Sequence, residues 1–229
     1  MDLSELNRMK IKARWKKVHD TEMAYQKVHI PKNLHLKSRI HGYLCGDGCV
    51  SCRDERENGK MHYDLRFYPD HESMILPFVE AFRRVYGKTP SVKIRRNHFC
   101  VMITSITAVK DLLREGSFFS TEWSVPDWIM TNKEYAREWL RAFFDSEAYA
   151  GKTDLRVQSV NKEGLAQVKK MLALFEVECR EYEYKRKNKS WNTNYHLVIS
   201  NARNRKNFLK RVGFNHLEKR KRLLSADVA

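Results

Sequence analysis

The stretch Ile40-His41-Gly42-Tyr43-Leu44-Cys45-Gly46-Asp47-Gly48 predicts a short helix that ends at a carboxylate. Gly42 and Gly46 lie four positions apart, so they fall on the same side of an α-helix. Two small residues on one side allow a second helix backbone to approach closely. Taken alone, the pattern predicts a packing helix and assigns no function to Asp47.

A second stretch with the same layout lies about 100 residues further along, at Leu140-Arg141-Ala142-Phe143-Phe144-Asp145-Ser146-Glu147-Ala148. Ala142 and Ser146 take the places of the two glycines, and Glu147 takes the place of the aspartate. Two such helices, spaced as the halves of a duplicated protein, predict a pseudo-two-fold site.

The two halves also match outside these helices. Residues 103–113 align without a gap with residues 199–209. In both halves apolar residues alternate in strand-like runs and recur at helical spacing between them, in the same order. We therefore expect an α+β fold with a duplicated αββαββα order, pseudo-two-fold symmetry and two four-stranded antiparallel sheets. Helices cover one face of each sheet, and the polar face stays open.

The predicted organisation has four parts. Residues 1–37 form a basic N-terminal arm of one or two helices, ended by Pro31. Residues 38–116 form the first half, and residues 117–132 form a linker that contains two tryptophans. Residues 133–229 form the second half and a basic C-terminal tail.

Local signals predict several boundaries inside these parts. Ser38 is expected to be the N-cap of the first motif helix, and Asp70 the N-cap of the helix after the first hairpin. Asn58-Gly59 predicts a hairpin turn, and further turns are expected near Asn97 and Asn188.

The charge of the chain indicates its partner. The formal net charge is +16, from 44 basic and 28 acidic residues. An excess of this size spread along the whole chain indicates a polyanion, and nucleic acid is the leading candidate. The basic run Lys219-Arg220-Lys221-Arg222 in the tail is expected to be a solvated helix end or a phosphate contact.

Composition also excludes several classes of protein. Hydrophobic residues make up 42% of the chain, which is enough for a folded core. No run of 18 apolar residues occurs, so neither a transmembrane helix nor a membrane partner is expected. The charged N-terminus predicts no secretory signal, and we expect a cytoplasmic protein, or an organellar-matrix protein if it is organelle-encoded. The five cysteines are irregularly spaced and are expected to be reduced thiols rather than zinc ligands.

The residues 42–48 and 140–147, together with the repeat, resemble the two motifs of the monomeric, single-chain LAGLIDADG homing endonuclease family. The resemblance covers roughly residues 38–213. It implies two motif helices packed side by side and two saddle-shaped sheets on a double-stranded DNA target. It also implies Mg²⁺-dependent hydrolysis of both strands with short 3′ overhangs, by a protein that a mobile intron or intein-like element encodes.

The two acids are the expected catalytic residues. A carboxylate at a helix C-terminus faces the negative end of the helix dipole, at a cost of about 0.3–1 kcal/mol. Asp47 and Glu147 at adjacent C-termini would also repel each other, and a divalent cation reverses both effects. Carboxylate oxygens suit Mg²⁺, and Mn²⁺ or Ca²⁺ can occupy the same sites. By resemblance, the backbone carbonyls of Gly46 and Ser146 help to hold the ions.

The nucleic-acid contacts are expected on the strands, where basic side chains bind phosphates or guanine and amides and histidine read base edges. The candidates are Arg53, Arg66, Lys93, Arg95, Arg156, Gln158, Arg180, Lys185, Arg186, Lys187, Asn194 and His196. In the last hairpin, the sequence leaves open which alternate set faces the DNA, Arg180 with Arg186 or Lys185 with Lys187.

The chain departs from the family pattern in two respects. Ser146 and Ala148 stand where the family often has glycines. The family often places a lysine or glutamine at the end of the second strand of each half, and here those places hold 68–69 and 159–160. Gln158 or Lys162 would have to substitute.

Two other functions remain open on the same scaffold. One is an RNA maturase that binds intron RNA, and the other is a DNA- or RNA-binding protein that does not cleave. A complete intein is not expected, because the sequence has no N-terminal nucleophilic Cys or Ser and no terminal His-Asn.

Overall fold

The structure is a computed structural model that describes residues 3–55, 60–95, 98–185 and 192–225. The first part of the chain forms α1 (Leu3–Lys32), α2 (Leu34–Asp47), β1 (Gly48–Glu55), β2 (Lys60–Phe67), α3 (Ile75–Tyr86), β3 (Ser91–Arg95), β4 (His98–Thr104) and α4 (Ile106–Glu115). The second part forms α5 (Asp127–Met130), α6 (Lys133–Glu147), β5 (Tyr149–Ala150), β6 (Leu155–Ser159), α7 (Lys162–Ala173), β7 (Arg180–Tyr184), β8 (Asn194–Ile199), α8 (Ala202–Arg211) and α9 (Leu217–Ser225). The predicted turns at Asn58-Gly59, Asn97 and Asn188 lie outside the described residues.

The two sheets have the same topology. The first has the strand order β1-β2-β4-β3 and the second has the order β5-β6-β8-β7, with all pairs antiparallel. In each sheet the two central strands are the second and fourth of their half. The predicted α+β fold, with a duplicated order and two four-stranded antiparallel sheets, is confirmed.

One face of each sheet belongs to the hydrophobic core. In the first sheet Leu65 lies opposite both Val50 and Ile103, and all three side chains are buried. In the second sheet Leu155 pairs with Ile199, and both are buried. The alternation of strand side chains then places the basic and polar residues on the other face of each sheet.

The repeat extends to the helix caps. Ser105 caps α4, where its hydroxyl accepts a hydrogen bond from the amide of Ala108 at 3.3 Å. Asn201 caps α8 by accepting from the amide of Arg203 at 2.8 Å. These two caps occupy matching positions in the gap-free alignment of 103–113 with 199–209, so the two halves begin their last core helix in the same way.

Two predicted caps are wrong. The first motif helix begins at Leu34, and Ser38 is fully buried inside it, where its hydroxyl donates to the carbonyl of Tyr135 at 2.6 Å. The side chain therefore joins two helices instead of starting one. In the other case α3 is preceded by the 3-10 turn Glu72–Met74, and His71, not Asp70, caps this turn by accepting a hydrogen bond from the amide of Ser73 at 3.1 Å.

The N-terminal arm is a single long helix that contains Pro31 in its last turn. Its C-terminal part is fixed to the first half: Gln26 donates to the Thr107 hydroxyl at 2.7 Å, and Glu22 forms an ion pair with Lys88 at 2.7 Å. Among the described residues no helix is both long and apolar enough to span a membrane.

The two motif helices α2 and α6 pack directly against each other. A Cβ built on Gly42 would overlap the carbonyl oxygen of Trp139 and lie 3.1 Å from the Cβ of Ala142. A Cβ on Gly46 would lie 2.5 Å from the Cβ of Ser146. The glycines of α2 are thus required by the closeness of the two backbones, as the sequence predicted.

We predict that Gly42→Val lowers the free energy of unfolding by about 2–3 kcal/mol, because the added atoms must push α2 away from α6. Urea unfolding followed by circular dichroism measures the change. The matched control is Ala24→Val on the exposed surface of α1, which adds the same β-branched group without a neighbour to displace. Equal, small effects of the two substitutions would contradict the close packing of the helices.

Candidate functional site

The packing of α2 on α6 brings the two predicted catalytic acids together. Asp47 is the last residue of α2, and Glu147 is the last residue of α6. Both side chains are partly buried. The two acids therefore lie at adjacent helix C-termini, where the sequence predicted them.

Burial and repulsion from neighbouring carboxylates raise the pKa values of both acids. The pKa of Asp47 rises to about 6, mainly because the carboxylate is desolvated, and secondly because the charge of Asp70 is near. The pKa of Glu147 rises to about 7, again mainly by desolvation and then by the charge of Asp47. The negative charge of Asp47 disfavours the ionised form of Glu147, so the protonation states of the two carboxylates are coupled.

The donor set fits a hard divalent cation that keeps water ligands. Across the described ranges no group of three or more His, Cys, Asp or Glu side chains is arranged to enclose a metal ion. Two carboxylates at the carbonyl ends of two helices are instead the kind of incomplete oxygen site that Mg²⁺ uses, with waters and phosphate oxygens as its other ligands. Asp47 and Glu147 are the residues that would hold such an ion.

Beside Glu147 lies Asp145, which is fully buried and structural. Its Oδ1 accepts hydrogen bonds from the amides of Asn215 and His216, each at 2.9 Å, and its Oδ2 accepts from the Tyr43 hydroxyl at 2.9 Å. Burial raises the pKa of Asp145 to about 6, against the effect of these hydrogen bonds. Asp145 thus joins both motif helices to the segment that starts α9.

The C-terminal tail supplies a residue that the sequence analysis did not place in the site. Lys219 is buried, and its ammonium donates hydrogen bonds to the carbonyl of Asp145 and, at 3.0 Å, to the carbonyl of Ser146. The prediction of a solvated helix end or phosphate contact is wrong for this lysine. Lys221 in the same run is exposed, as that prediction expected. A run of four basic residues gives no signal about which one turns inward.

A third carboxylate approaches the site from the end of the first hairpin. The Oδ1 of Asp70 lies 3.3 Å from the Nε2 of His216, and its Oδ2 lies 3.7 Å from the Lys219 ammonium. Partial burial would raise the pKa of Asp70, but the His216 hydrogen bond and the Lys219 charge together hold it below its usual value. Asp70 is about half exposed, so it lies at the edge of the site.

Of the two residues proposed to assist the water nucleophile, Gln158 lines the same cavity as Glu147. A cavity of about 220 Å³ is lined by Gly46, Glu147 and Gln158, among others. Lys162 lies away from this cavity, with its ammonium 5.6 Å from the centre of the Tyr195 ring.

The open face of the first sheet carries three of the predicted DNA contacts. Strand register puts Arg66 opposite Cys49 and Met102, and Lys93 opposite Cys100, on the side away from Leu65. Arg53 lies on the same side, opposite His62, and is exposed. Arg95 lies two positions after Lys93 in β3, and its side chain lies outside the described residues.

The open face of the second sheet carries five predicted contacts. The register aligns Gln158 with His196, Arg156 and Arg180 with Val198, and Tyr184 with Asn194. Five predicted contacts are therefore on one face: Arg156, Gln158, Arg180, Asn194 and His196. Asn194 is buried there, so its side chain is not exposed as the predicted base contact requires. The Asn194 amide donates to the Gln158 side-chain oxygen at 3.4 Å, so these two candidates are linked.

The register also shows which residues of the last hairpin lie on the open face of the second sheet. Arg180 is opposite Val198 and lies on the open face. Glu183 points to the other face of the sheet, and the Lys185 ammonium lies 3.7 Å from its carboxylate. Arg186 and Lys187 lie outside the described residues.

Three tyrosines on the open face were missed by the sequence analysis. The open face of the second sheet exposes Tyr149, Tyr182 and Tyr184. The guanidinium of Arg156 lies 4.5 Å from the centre of the Tyr149 ring. Exposed rings among basic side chains are able to stack on bases or pack on sugars. The available signal was the period-two spacing of Tyr182 and Tyr184 along β7.

Comparison with known proteins agrees with this geometry. Residues 134–213 match the family model of the LAGLIDADG-like domain. The structure is similar to that of the homing endonuclease I-DmoI, with a TM-score of 0.63 and 14% identity over 78% of this chain and 95% of that one. It is also similar to full-length DUF199/WhiA from Thermatoga maritima, with a TM-score of 0.55 and 14% identity over 83% of this chain and 60% of that one. At this level of identity the likeness shows the fold.

Two curated proteins contain a related segment. The replication factor C small subunit of Thermococcus kodakarensis is 35% identical over 91 residues, which are 40% of this chain and 10% of that protein. The glutamine--fructose-6-phosphate aminotransferase [isomerizing] of Methanocaldococcus jannaschii is 22% identical over 192 residues, which are 81% of this chain and 17% of that protein. The chain thus spans only a small fraction of the length of either relative.

We predict that the metal-free protein loses a stabilising contribution of Glu147 as the pH rises. The pKa of this group is raised from 4.5 to about 7 in the folded chain, so its favourable contribution is complete below 4.5 and is lost as the pH passes through 7. Relative to wild type, Glu147→Gln is expected to gain about 1–3 kcal/mol of unfolding free energy between pH 5 and pH 8.

Urea unfolding in chelator at the two pH values measures this difference. Glu134→Gln, on the exposed first turn of the same helix, is the control and is expected to show no comparable gain. If Glu147→Gln behaves like the control, then Glu147 is not held in a desolvated site.

Proposed function

We propose that this chain, which belongs to the LAGLIDADG family, is a site-specific endonuclease that hydrolyses both strands of a DNA target in a metal-dependent reaction. The observation that carries the proposal is the pair of acids at the ends of α2 and α6. Each is unfavourable in its place without a cation, because both are desolvated, repel each other and face the negative ends of helix dipoles. A purely structural role leaves this arrangement unexplained.

The proposed cofactor is Mg²⁺, with Mn²⁺ or Ca²⁺ able to bind in its place. I-DmoI has been crystallised in complex with DNA and Mn, and in complex with DNA and Ca, which supports a divalent ion as the cofactor of this chain. The ion would supply Lewis-acid activation of the scissile phosphate and of a water. Asp47 and Glu147 would hold it, and Gln158, which lines the cavity beside Glu147, would orient the attacking water through its side-chain amide.

The proposed DNA surface is the open face of both sheets. It presents Arg53, Arg66 and Lys93 in the first half, and Arg156 and Arg180 in the second. The cationic side chains on the two sheets would bind the phosphates on either side of the scissile bonds. The polar and aromatic residues of the open faces would contact bases. The two halves are joined through α2 and α6 of one chain, which supports a monomer on an asymmetric site.

A mobile genetic element is the proposed origin. The two curated relatives have unrelated named activities, one in replication and one in amino-sugar synthesis, and yet each contains a segment similar to this chain. A segment that occurs in such different hosts is independent of their activities. This supports an intron- or intein-like element that inserts its own coding sequence.

The second candidate is a nucleic-acid-binding protein that does not cleave, or an RNA maturase. Tyr68 and Ser159 occupy positions where the family often has a lysine or glutamine, which leaves Gln158 as the candidate for orienting the water. The fold of WhiA, which this chain shares, is a further reason to retain this alternative. Affinities for the target DNA and for intron RNA at the same salt concentration would separate the two functions.

We predict that Asp47→Asn and Glu147→Gln each lower Mg²⁺-dependent cleavage by about 100-fold or more, since each removes an anionic ligand of the proposed ion. DNA affinity is expected to stay within about threefold of wild type, because neither acid lies among the cationic contacts. Selection of cleaved plasmids from a library of randomised sites supplies the target, and gel assays then measure cutting and binding. Glu134→Gln is the control in α6, and cleavage by both acid variants at the wild-type rate would refute the assignment.

We predict that Lys93→Gln weakens binding to target and non-target DNA alike and reduces the slope of log K against log salt by about 1, as for the loss of one phosphate contact. Lys170→Gln is the matched control, because Lys170 is exposed on α7, on the helical side of the second sheet. Fluorescence anisotropy between about 50 and 200 mM salt measures both slopes. Equal slopes for the two variants would exclude Lys93 from the DNA surface.

A further inference from the structure

A lysine ammonium occupies the C-terminal end of the second motif helix. The Nζ of Lys219 donates to the carbonyls of Asp145 and Ser146, which belong to the last turn of α6. The last carbonyls of an α-helix have no partner within the helix and carry the negative end of its dipole. They are therefore a site for a cation, and here a side chain of the same protein fills it.

The ammonium is also the counter-ion of the acids. Its charge interacts favourably with Asp70, Asp145, Asp47 and Glu147, while only 11% of its side chain is exposed. A buried ammonium is unfavourable unless it is paired and hydrogen-bonded, and this one has both kinds of partner. Lys219 thus supplies, inside the folded chain, part of the positive charge that the two catalytic acids require.

The position of Lys219 is built by several contacts rather than by a flexible tail. Asp145 accepts from the backbone amides of Asn215 and His216, and His216 accepts from the amide of Lys219 at 3.3 Å. Leu223, one turn further along α9, is fully buried. By contrast Lys221 is exposed and pairs with Glu218 at 2.9 Å.

The first half has no counterpart of this lysine. In the gap-free alignment of the two halves, residues 199–209 correspond to 103–113, so the tail corresponds to the linker that follows α4. Residues 116–132 contain neither lysine nor arginine. The duplicated fold is therefore asymmetric at the ends of its two motif helices: the Lys219 ammonium binds the last carbonyls of α6, whereas among the described residues no lysine or arginine side chain is recorded as donating to the last carbonyls of α2.

We propose that Lys219 is the resident cation of the second-motif half of the site. It occupies the Asp145 and Ser146 carbonyls, holds Glu147 and Asp47 together in the metal-free protein, and weakens divalent-ion binding at the end of α6 relative to the end of α2. The inference rests on the proposed function in one respect, that the paired acids bind a divalent ion. It gives Lys219 a positioning role through the acids and does not require it to contact DNA.

Ca²⁺ binding and thermal unfolding of the free protein test this role without any cleavage. Lys219→Met is expected to bind Ca²⁺ about tenfold more tightly or at one additional site, because a unit charge and an occupant are removed from among the ligands. In chelator, the same variant is expected to have a lower melting temperature than wild type. Addition of Ca²⁺ is expected to raise the melting temperature of the variant by more than it raises that of wild type. The matched control Lys221→Met removes the same charge from the exposed side of α9 and should change Ca²⁺ affinity less than twofold.

The proposal is overturned if folded Lys219→Met has the Ca²⁺ affinity and the metal-free melting temperature of wild type, or if neither protein binds Ca²⁺. If Lys219→Met folds only with Ca²⁺ present, the resident-cation role is supported directly. If it folds in neither condition, Lys219→Gln, which keeps a donor for the carbonyls but no charge, is measured in its place, and unchanged Ca²⁺ affinity in that variant refutes the role. A wild-type protein that binds Ca²⁺ but cleaves no member of the site library would refute the endonuclease and leave this result intact.

Discussion

The close contact of two helix backbones is the constraint on which the rest of the structure depends. It requires glycine at two positions of α2 and small residues at the facing positions of α6. It is held by four polar contacts across the interface, Ser38 to Tyr135, Arg39 to Glu138, Trp139 to His41, and Tyr43 to Asp145. These contacts fix the rotation of each helix about its axis, so that the two C-termini and their acids meet. They also fix the angle between the sheets, since each motif helix continues directly into the first strand of its sheet.

The same contact concentrates unfavourable charge at one end of the interface. Asp47, Glu147 and Asp145 all have raised pKa values, and desolvation is the largest cause for each. The surroundings of these carboxylates differ. Asp145 is surrounded by donors from the backbone of residues 215–216 and from Tyr43, so it serves as an internal anchor. Asp47 and Glu147 have fewer such partners, namely the Ser146 side chain beside Asp47 and the charge of the Lys219 ammonium near both acids, and they remain available to a ligand.

The sequence predicted the fold well where its information is local or repeated. Small residues spaced by four, alternating strands, and the gap-free match of 103–113 with 199–209 gave the element order, the topology class and the two acids. It failed where the partner of a side chain is distant. Ser38 has the chemistry of a cap, but its hydroxyl meets a carbonyl about a hundred residues away. Asp70 and Lys219 meet across about 150 residues, and no local pattern indicates that an acid after a strand and a base in a polar tail will come together.

The anchoring of α9 has a consequence for the order in which the site is assembled during synthesis. The acids, both sheets and the helix interface are all encoded before residue 213, whereas their internal counter-ion and its supports lie at residues 215–223. During synthesis both motif helices and both sheets therefore leave the ribosome before the lysine that lies beside their pair of carboxylates. Docking of α9 then brings the Lys219 ammonium to the carbonyl of Ser146, so the C-terminal end of α6 is completed only after α9 has emerged.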